Sequence, residues 1–271
     1  MELALIGSWG KIIQMSIDQA SENSIWLEGA ISVEAALRGS ARQVTAVYVQ
    51  KGNGRRWERR VGKLQRLTQR TNVPLALVDE DFIAARTTGS SHGGVVAEAG
   101  PRQFVSLESL VEGVKRPFIV MLDGIEDPYN FGQALRSLYA AGVAGVVVRP
   151  RNWFSAAGVV ARASAGVSEQ MPIAIAETAE HAAETFRRLG LCIAATSNQN
   201  AVPVFDANLV QPLFLLLGGE KRGITRSFLA QSDLVLQIPY AQTNFNHSLG
   251  VVASAAIVAF EVMRQRNNHK S

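Results

Sequence analysis

The sequence predicts an α/β protein in two parts, on three observations. From residue 117 onward, short apolar or β-branched runs alternate with helical patterns. A shorter alternation of the same kind precedes residue 100. The stretch between them, GPRQFVSLESLVEGVKRP, carries Gly100, Pro101 and Pro117 at its margins and has only weak periodicity, as a linker does. Nearly continuous apolar strands separated by helices imply a parallel sheet covered on both faces. The predicted division is an extension over 1–24, a small α/β domain over 25–100, a linker over 101–116 and a larger α/β domain over 117–271.

In the small domain the predicted order is a helix at about 31–38, the strand AVYVQ, a helix at about 55–71, the strand VPLALV, a short helix at 79–87 and the strand GVVAEA. In the larger one PFIVMLDG leads into a helix near 130–141, then GVAGVVVRP, a helix near 156–165 and MPIAIAE. A helix near 178–189 follows, then the strands LCIAATS, PLFLLLGGE and DLVLQIP, and a last helix from about 247 to 266. Residues 1–24 have some amphipathic character (Leu3, Leu5, Ile6, Ile12, Ile13, Ile17) but no motif, and read as a docking helix or a disordered extension.

A length of 271 residues accommodates these two parts at roughly 100–200 residues per domain. With a single cysteine, Cys192, there is no intramolecular disulfide, and the four histidines are scattered without ligand spacing, so no metal site is expected. No run approaches the roughly 18 apolar residues of a membrane span, and the amino-terminal stretch, interrupted by Lys11, reads poorly as a signal peptide. The expected setting is cytoplasmic.

Net charge is only +4, but its distribution is uneven. Residues 51–70 carry Lys51, Arg55, Arg56, Arg59, Arg60, Lys63, Arg66 and Arg70 against a single acid, Glu58. Trp57, Val61, Leu64 and Leu67 recur at helical spacing within that block and would turn one face inward, leaving the arginines outside. Two readings stand on the residues alone: a solvated helix face, or a surface for an anionic partner, most often nucleic acid.

Three segments carry candidate chemistry. Asp127-Pro128-Tyr129-Asn130-Phe131-Gly132 follows a strand, with Asn130 a candidate helix cap and Gly142 the close of that helix. Arg136 lies on the same helix, where its guanidinium would face the crevice in which open α/β sheets bind ligands. The second segment runs from LFLLL into Gly218-Gly219-Glu220-Lys221-Arg222-Gly223, which is neither a Walker A loop nor a G-x-G-x-x-G dinucleotide fingerprint. The third, QIPYAQTNFNHSLGVVASAAIVAFE, is a strand, a polar loop and a small-residue helix that Ser248 could cap.

Together, in this order and spacing, the three segments resemble motifs 1 to 3 of the SpoU (TrmH-type) RNA ribose 2'-O-methyltransferases of the SPOUT class. N-x-G-x-x-x-R matches Asn130, Gly132 and Arg136; G-x-E-x-x-G matches Gly218, Glu220 and Gly223; I-P…S-L matches Ile238, Pro239, Ser248 and Leu249. Ala163-Ser164-Ala165-Gly166 resembles the family's S-A-G-A, and the first half resembles the small α/β substrate-binding domain attached to many members. The resemblance implies a SPOUT-type parallel sheet with a carboxyl-terminal trefoil knot and a homodimer joined through it. It implies S-adenosylmethionine as cofactor, held around Thr196, Gly218, Gly219, Ile238, Ser248 and Leu249, with Asn130, Arg136, Glu220 and Ser248 as catalytic residues. Arg55, Arg56, Arg59, Arg60 and Lys63 then become RNA-binding candidates, with rRNA favoured over tRNA.

One departure stands out. Motif 3 of the family reads S-L-N-V-S, and here it is Ser248-Leu249-Gly250-Val251-Val252, after an enlarged loop in which Asn246 or His247 could compensate. The alternative is therefore a catalytically weak or inactive RNA-binding or ribosome-assembly factor on the same fold. A nicotinamide-dependent oxidoreductase is a more distant alternative, since the glycine fingerprint is absent.

Overall fold

The structure, a computed structural model, describes residues 24–88, 92–150, 156–219, 223–242, 244 and 247–269. Residues 1–23 of the amino-terminal extension, Glu220 and Asn246 lie outside the described residues.

The first part is a mixed four-stranded sheet: β1 (Ile25–Glu28), α1 (Ala30–Arg38), β2 (Val44–Gln50), α2 (Arg55–Thr71), β3 (Leu75–Val78), α3 (Glu80–Ala84) and β4 (Val95–Ala99), in the order β1-β4-β2-β3. Only β2 and β3 run parallel; β4 is antiparallel to both its neighbours. α2 forms on the predicted residues because Val61, Leu64 and Leu67 bury one stripe, the indole of Trp57 donates to Gln50 O at 2.9 Å, and Asn72 ends the helix in the left-handed region. Each of those buried side chains contributes about 1.5–3 kcal/mol. That outweighs the like-charge neighbours Arg55/Arg59, Arg56/Arg60, Arg59/Lys63 and Arg66/Arg70 on the outer face, at about 0.2–0.5 kcal/mol per pair.

The second part comprises β5 (Phe118–Asp123), α4 (Pro128–Ala140), β6 (Gly145–Val148), α5 (Ala157–Ala163), β7 (Ile173–Ile175), α6 (Ala179–Arg188), β8 (Cys192–Thr196), β9 (Val202–Pro203), β10 (Leu213–Gly218), α7 (Arg226–Gln231), β11 (Leu234–Gln237) and α8 (Val251–Asn268). Its seven strands run β7-β6-β5-β10-β8-β11-β9, every pairing parallel. α4, α5 and α8 cover one face through Phe131, Leu135, Val160 and Val258; α6 and α7 cover the other through Ala182, Phe186 and Phe228, with Phe186 stacked on Phe214 at 4.9 Å. After β7 the chain crosses to β8, returns to insert β10 between β5 and β8, passes out to β11, and comes back as α8 against α4.

The two parts meet in a filled seam. Ala161 of α5 belongs to the core of the four-stranded unit. A Cβ on Gly166 would stand 2.5 Å from the Ala35 Cβ, and one on Gly39 would stand 1.9 Å from Glu169 O, so α1 rests directly on the 164–170 turn. Glu169, 1% exposed, accepts from Arg42 Nε at 3.0 Å, from Arg102 Nη2 at 3.2 Å and from Ser168 Oγ at 3.0 Å. Burial pulls both guanidinium groups down from the ordinary arginine value, and Glu169 opposes that pull. Beside it, buried Glu28 takes Arg162 Nη1 at 2.7 Å and both Thr88 donors at 3.1 Å.

The stretch predicted as a weakly structured linker is packed. Val105 N–H donates to Ile173 O at 3.0 Å as a parallel bridge beside β7, and Leu107 and Leu110 are buried under the large sheet. Two helix starts also differ from the sequence expectation. Asp127, not Asn130, caps α4, its carboxylate accepting from Tyr129 N–H at 2.9 Å with Pro128 in the first turn, where its missing N–H costs nothing. α8 starts at Val251 with Gly250 as cap residue, so Ser248 is not the cap; it stands two residues upstream in the loop. Gly142, φ +83°, closes α4 as predicted.

Candidate methyl-transfer site

The carboxyl ends of β8, β10 and β11 surround a cleft of about 310 Å³, where open parallel sheets bind ligands. Its walls come from four segments: Thr196–Asn198 at the end of β8, Leu217–Gly219 at the end of β10, Ile238 and Tyr240 after β11, and Ser248 with Leu249 before α8, closed by Val251, Ser254 and Val258 of that helix. A second recess of about 180 Å³ opens beside it, lined by Gly124–Asp127, Asn130, Gly219 and Val251. Gly219 and Val251 face both spaces and so join them.

Glycine is required where the loops converge. A Cβ on Gly219 would lie 2.2 Å from Gly124 O, and one on Gly218 would lie 2.8 Å from Ile224 Cγ1 and 3.0 Å from Gly223 C. Gly132 serves the same end further back: a Cβ there would meet the Ala163 Cβ at 2.7 Å, so α4 can press against α5 and hold Asn130 at the recess. Such backbone walls suit a ligand recognised through its edges by main-chain N–H and C=O groups.

All six residues assigned to the cofactor from sequence, Thr196, Gly218, Gly219, Ile238, Ser248 and Leu249, line the one cleft. Asn130 lies in the adjoining recess, in the first turn of α4. Arg136 does not join them: it sits on the exposed face of α4 and lines neither space. Six residues along a helix turn the side chain by about 240° and advance it about 9 Å, so the Asn130 and Arg136 side chains leave α4 about 120° apart. Glu220 falls outside the described residues.

Of the basic candidates, Arg55, Arg56 and Arg59 are exposed on α2. Arg60 donates to Gly93 O, and Lys63 pairs with Glu34 of α1 at 2.6 Å. At the rim of the recess, Arg149 at the end of β6 grips Asp123 at the end of β5, Nε–Oδ1 2.7 Å and Nη2–Oδ2 2.8 Å. Cys192 is at the far end of β8 from the cleft, and burial pushes its thiol up, which leaves it a poor nucleophile. Sequence reasoning missed Tyr240 and Ser254, although Tyr240 directly follows the Ile238-Pro239 pair that marked the third segment.

Comparison with known proteins decides the family. The sequence model of the SpoU rRNA methylase family matches residues 117–260, more than half the chain. The chain belongs to this family. A second model, for RNA 2'-O ribose methyltransferase substrate binding, matches residues 26–105. Among similar curated proteins is the 23S rRNA (guanosine-2'-O-)-methyltransferase RlmB of Pseudomonas putida, 29% identical over 242 residues that cover 88% of this chain and 95% of the relative. The RlmB of Photorhabdus laumondii is 28% identical, covering 89% and 98%. In fold, the chain is similar to the SpoU methyltransferase AviRb of Streptomyces viridochromogenes in complex with AdoMet, at TM-score 0.72 and 22% identity over 91% of this chain and 92% of that one. The AdoMet-bound rRNA methyltransferase of Sinorhizobium meliloti matches at TM-score 0.71 and 23% identity, covering 89% and 87%.

Proposed function

We propose that this chain transfers a methyl group from S-adenosylmethionine to a ribose 2'-hydroxyl of RNA, with large-subunit rRNA as the substrate and tRNA the less favoured one. The observation that carries the reading is the meeting of six residues from four separated loops in one cleft, beside the Asn130 recess, in a chain of the SpoU family. The names of the RlmB relatives support rRNA. A ribosomal RNA substrate implies the cytoplasm.

The residues present fit the cofactor, since the Gly218-Gly219 cradle has no room for a side chain and the cleft volume suits a nucleoside-sized ligand. Thr196, Gly218, Gly219, Ile238, Ser248 and Leu249 hold it in this reading, and when bound it supplies an electrophilic methyl on a sulfonium. That methyl would pass to the ribose 2'-oxygen with departure of a neutral thioether, and the hydroxyl proton would go to a phosphate oxygen or water. Asn130, with Glu220 and Ser248, orients the ribose. Arg136, permanently charged, holds an RNA phosphate laid over α4 and stabilises the developing alkoxide rather than acting as a base.

Residues 25–100 serve as the substrate-binding domain and residues 117–271 as the methyltransferase domain. Arg55, Arg56 and Arg59, with Arg60 and Lys63, meet RNA phosphates and position the substrate without reading sequence. The passage of β10 between β5 and β8 and the return of α8 support a trefoil knot in the carboxyl third. Exposed Tyr129 and Tyr139 on α4 and Phe260 on α8, two helices packed together, support a homodimer through that region.

The test is incubation with labelled S-adenosylmethionine and unmodified rRNA and tRNA in separate pools, beside an Arg136→Ala control. Label confined to rRNA and abolished in the control is the expected result. Gly250, which brings no side chain to the start of α8, favours one second reading, an RNA-binding factor without methyl transfer. That reading requires RNA binding with neither label nor cofactor binding.

A further inference from the structure

We infer that Tyr240 and Ser254 are positioning residues for S-adenosylmethionine, gripping Leu249 by its N–H and by its C=O to shape the cofactor wall. The inference rests on the methyltransferase reading above and deepens it.

Leu249 N–H donates to the Tyr240 hydroxyl at 3.2 Å. Its carbonyl accepts from Ser254 Oγ at 3.4 Å. Tyr240, Leu249 and Ser254 all line the same cleft. One grip comes from the segment that leaves β11 and the other from the first turn of α8, so the two elements are fastened to each other through the one residue between them.

The start of α8 explains why such a grip is needed. Gly250 supplies no side-chain cap, and the first turn holds it by main chain alone, Ser254 N–H donating to Gly250 O at 3.1 Å. A glycine at the cap position leaves the preceding backbone without a side chain to hold it, and polar groups bind a ligand best when they are already aimed. The two hydroxyls fix the two peptide planes that meet at Leu249, the Ser248–Leu249 plane through its N–H and the Leu249–Gly250 plane through its C=O, before the ligand arrives. Neither hydroxyl takes part in bond making.

The experiment uses the full chain as wild type, Tyr240→Phe, Ser254→Ala and the double variant. It measures S-adenosylmethionine binding by calorimetry, KM for S-adenosylmethionine and for RNA, kcat and Tm. Tyr240→Phe is expected to weaken S-adenosylmethionine binding about 5–20-fold, the loss of one positioning hydrogen bond, and to raise its KM in parallel. At saturating cofactor kcat stays within about twofold, and the RNA KM and Tm stay at wild-type values, a split that a merely structural role does not produce. Ser254→Ala has the smaller effect, and the double variant loses less than the product of the two, because both act on one residue. Tyr240→Phe with wild-type cofactor affinity, or with cofactor KM, RNA KM and Tm all impaired together, overturns the inference alone. Wild-type protein that binds no S-adenosylmethionine overturns it together with the methyltransferase reading.

Discussion

The seam between the two sheets and the cleft at the strand ends follow opposite construction rules. At the seam the space is filled: Gly39 and Gly166 leave no room even for a methyl group, Gly158 leaves little, and the carboxylates of Glu28 and Glu169 have their donors in place. At the cleft, glycines also bring backbones together, but around an opening. The difference teaches that rigidity is placed where it fixes the basic helix α2 relative to the cleft, through α1 and the 164–170 turn. α4 connects the two regimes, with Gly132 pressed onto α5 and Asn130 at the recess.

The largest break in this contrast comes from Glu169→Ala. It strands two buried guanidinium groups and is expected to cost about 3–5 kcal/mol of unfolding free energy, measured by urea denaturation; a loss below about 1 kcal/mol would mean that water replaces the carboxylate. Next come two glycines. Gly166→Ala, at φ +82° and against Ala35, should cost about 1–3 kcal/mol in the same assay and leave cofactor affinity unchanged in the folded protein. Gly219→Ala is expected to weaken S-adenosylmethionine binding by more than about tenfold in calorimetry, since the cradle must part to admit the methyl. Equal effects of both changes on both readouts would erase the distinction between seam and cleft.

Removing charge from α2 sharpens the comparison from the side of the substrate. Arg55→Gln, Arg56→Gln and Arg59→Gln together should lower RNA affinity about tenfold at moderate salt and reduce the slope of log K against log salt by about 2–3, without altering Tm. Arg60→Gln and Lys63→Gln should each do less, because those cations already have partners in Gly93 O and Glu34. The smallest effect concerns Glu261 on α8, whose carboxyl is held below its ordinary value by the Arg264 hydrogen bond. Its contribution to stability is present above the unfolded carboxylate value and is lost as pH falls through the lowered one. Glu261→Gln should therefore lower stability slightly at neutral pH and flatten the acid limb of the unfolding curve below about pH 4.5.

Long periodic segments were legible from the sequence because their period states their burial: α2 occupies the predicted residues, and the apolar runs of β5, β6, β8, β10 and β11 became the sheet. Short elements were not. β9 is two residues and α7 six, too short for a pattern to accumulate, and β1 carries no alternation of its own. The caps were misplaced by chemistry that does not discriminate, since Asp127 and Asn130 are both good caps; Pro128, fit for a first turn, was the available signal for Asp127. The six residues assigned to the cofactor meet in one cleft because their segments follow strand ends at the same edge of the sheet. The Arg42–Glu169 pair joins residues 127 positions apart, and nothing local in either segment announces the other.

The strap that runs beside β7 has a further consequence. A seven-stranded parallel sheet ends in two rows of main-chain donors and acceptors, each a template on which a stray strand can add. On one side Val105 occupies the Ile173 carbonyl and forms a one-residue bridge that propagates no further. On the other, β9 is only Val202–Pro203, and the proline ring has no proton to offer. Both margins of the sheet are thus self-terminating, so the chain can expose Val202 and Phe205 at that end without inviting polymerisation through its edges.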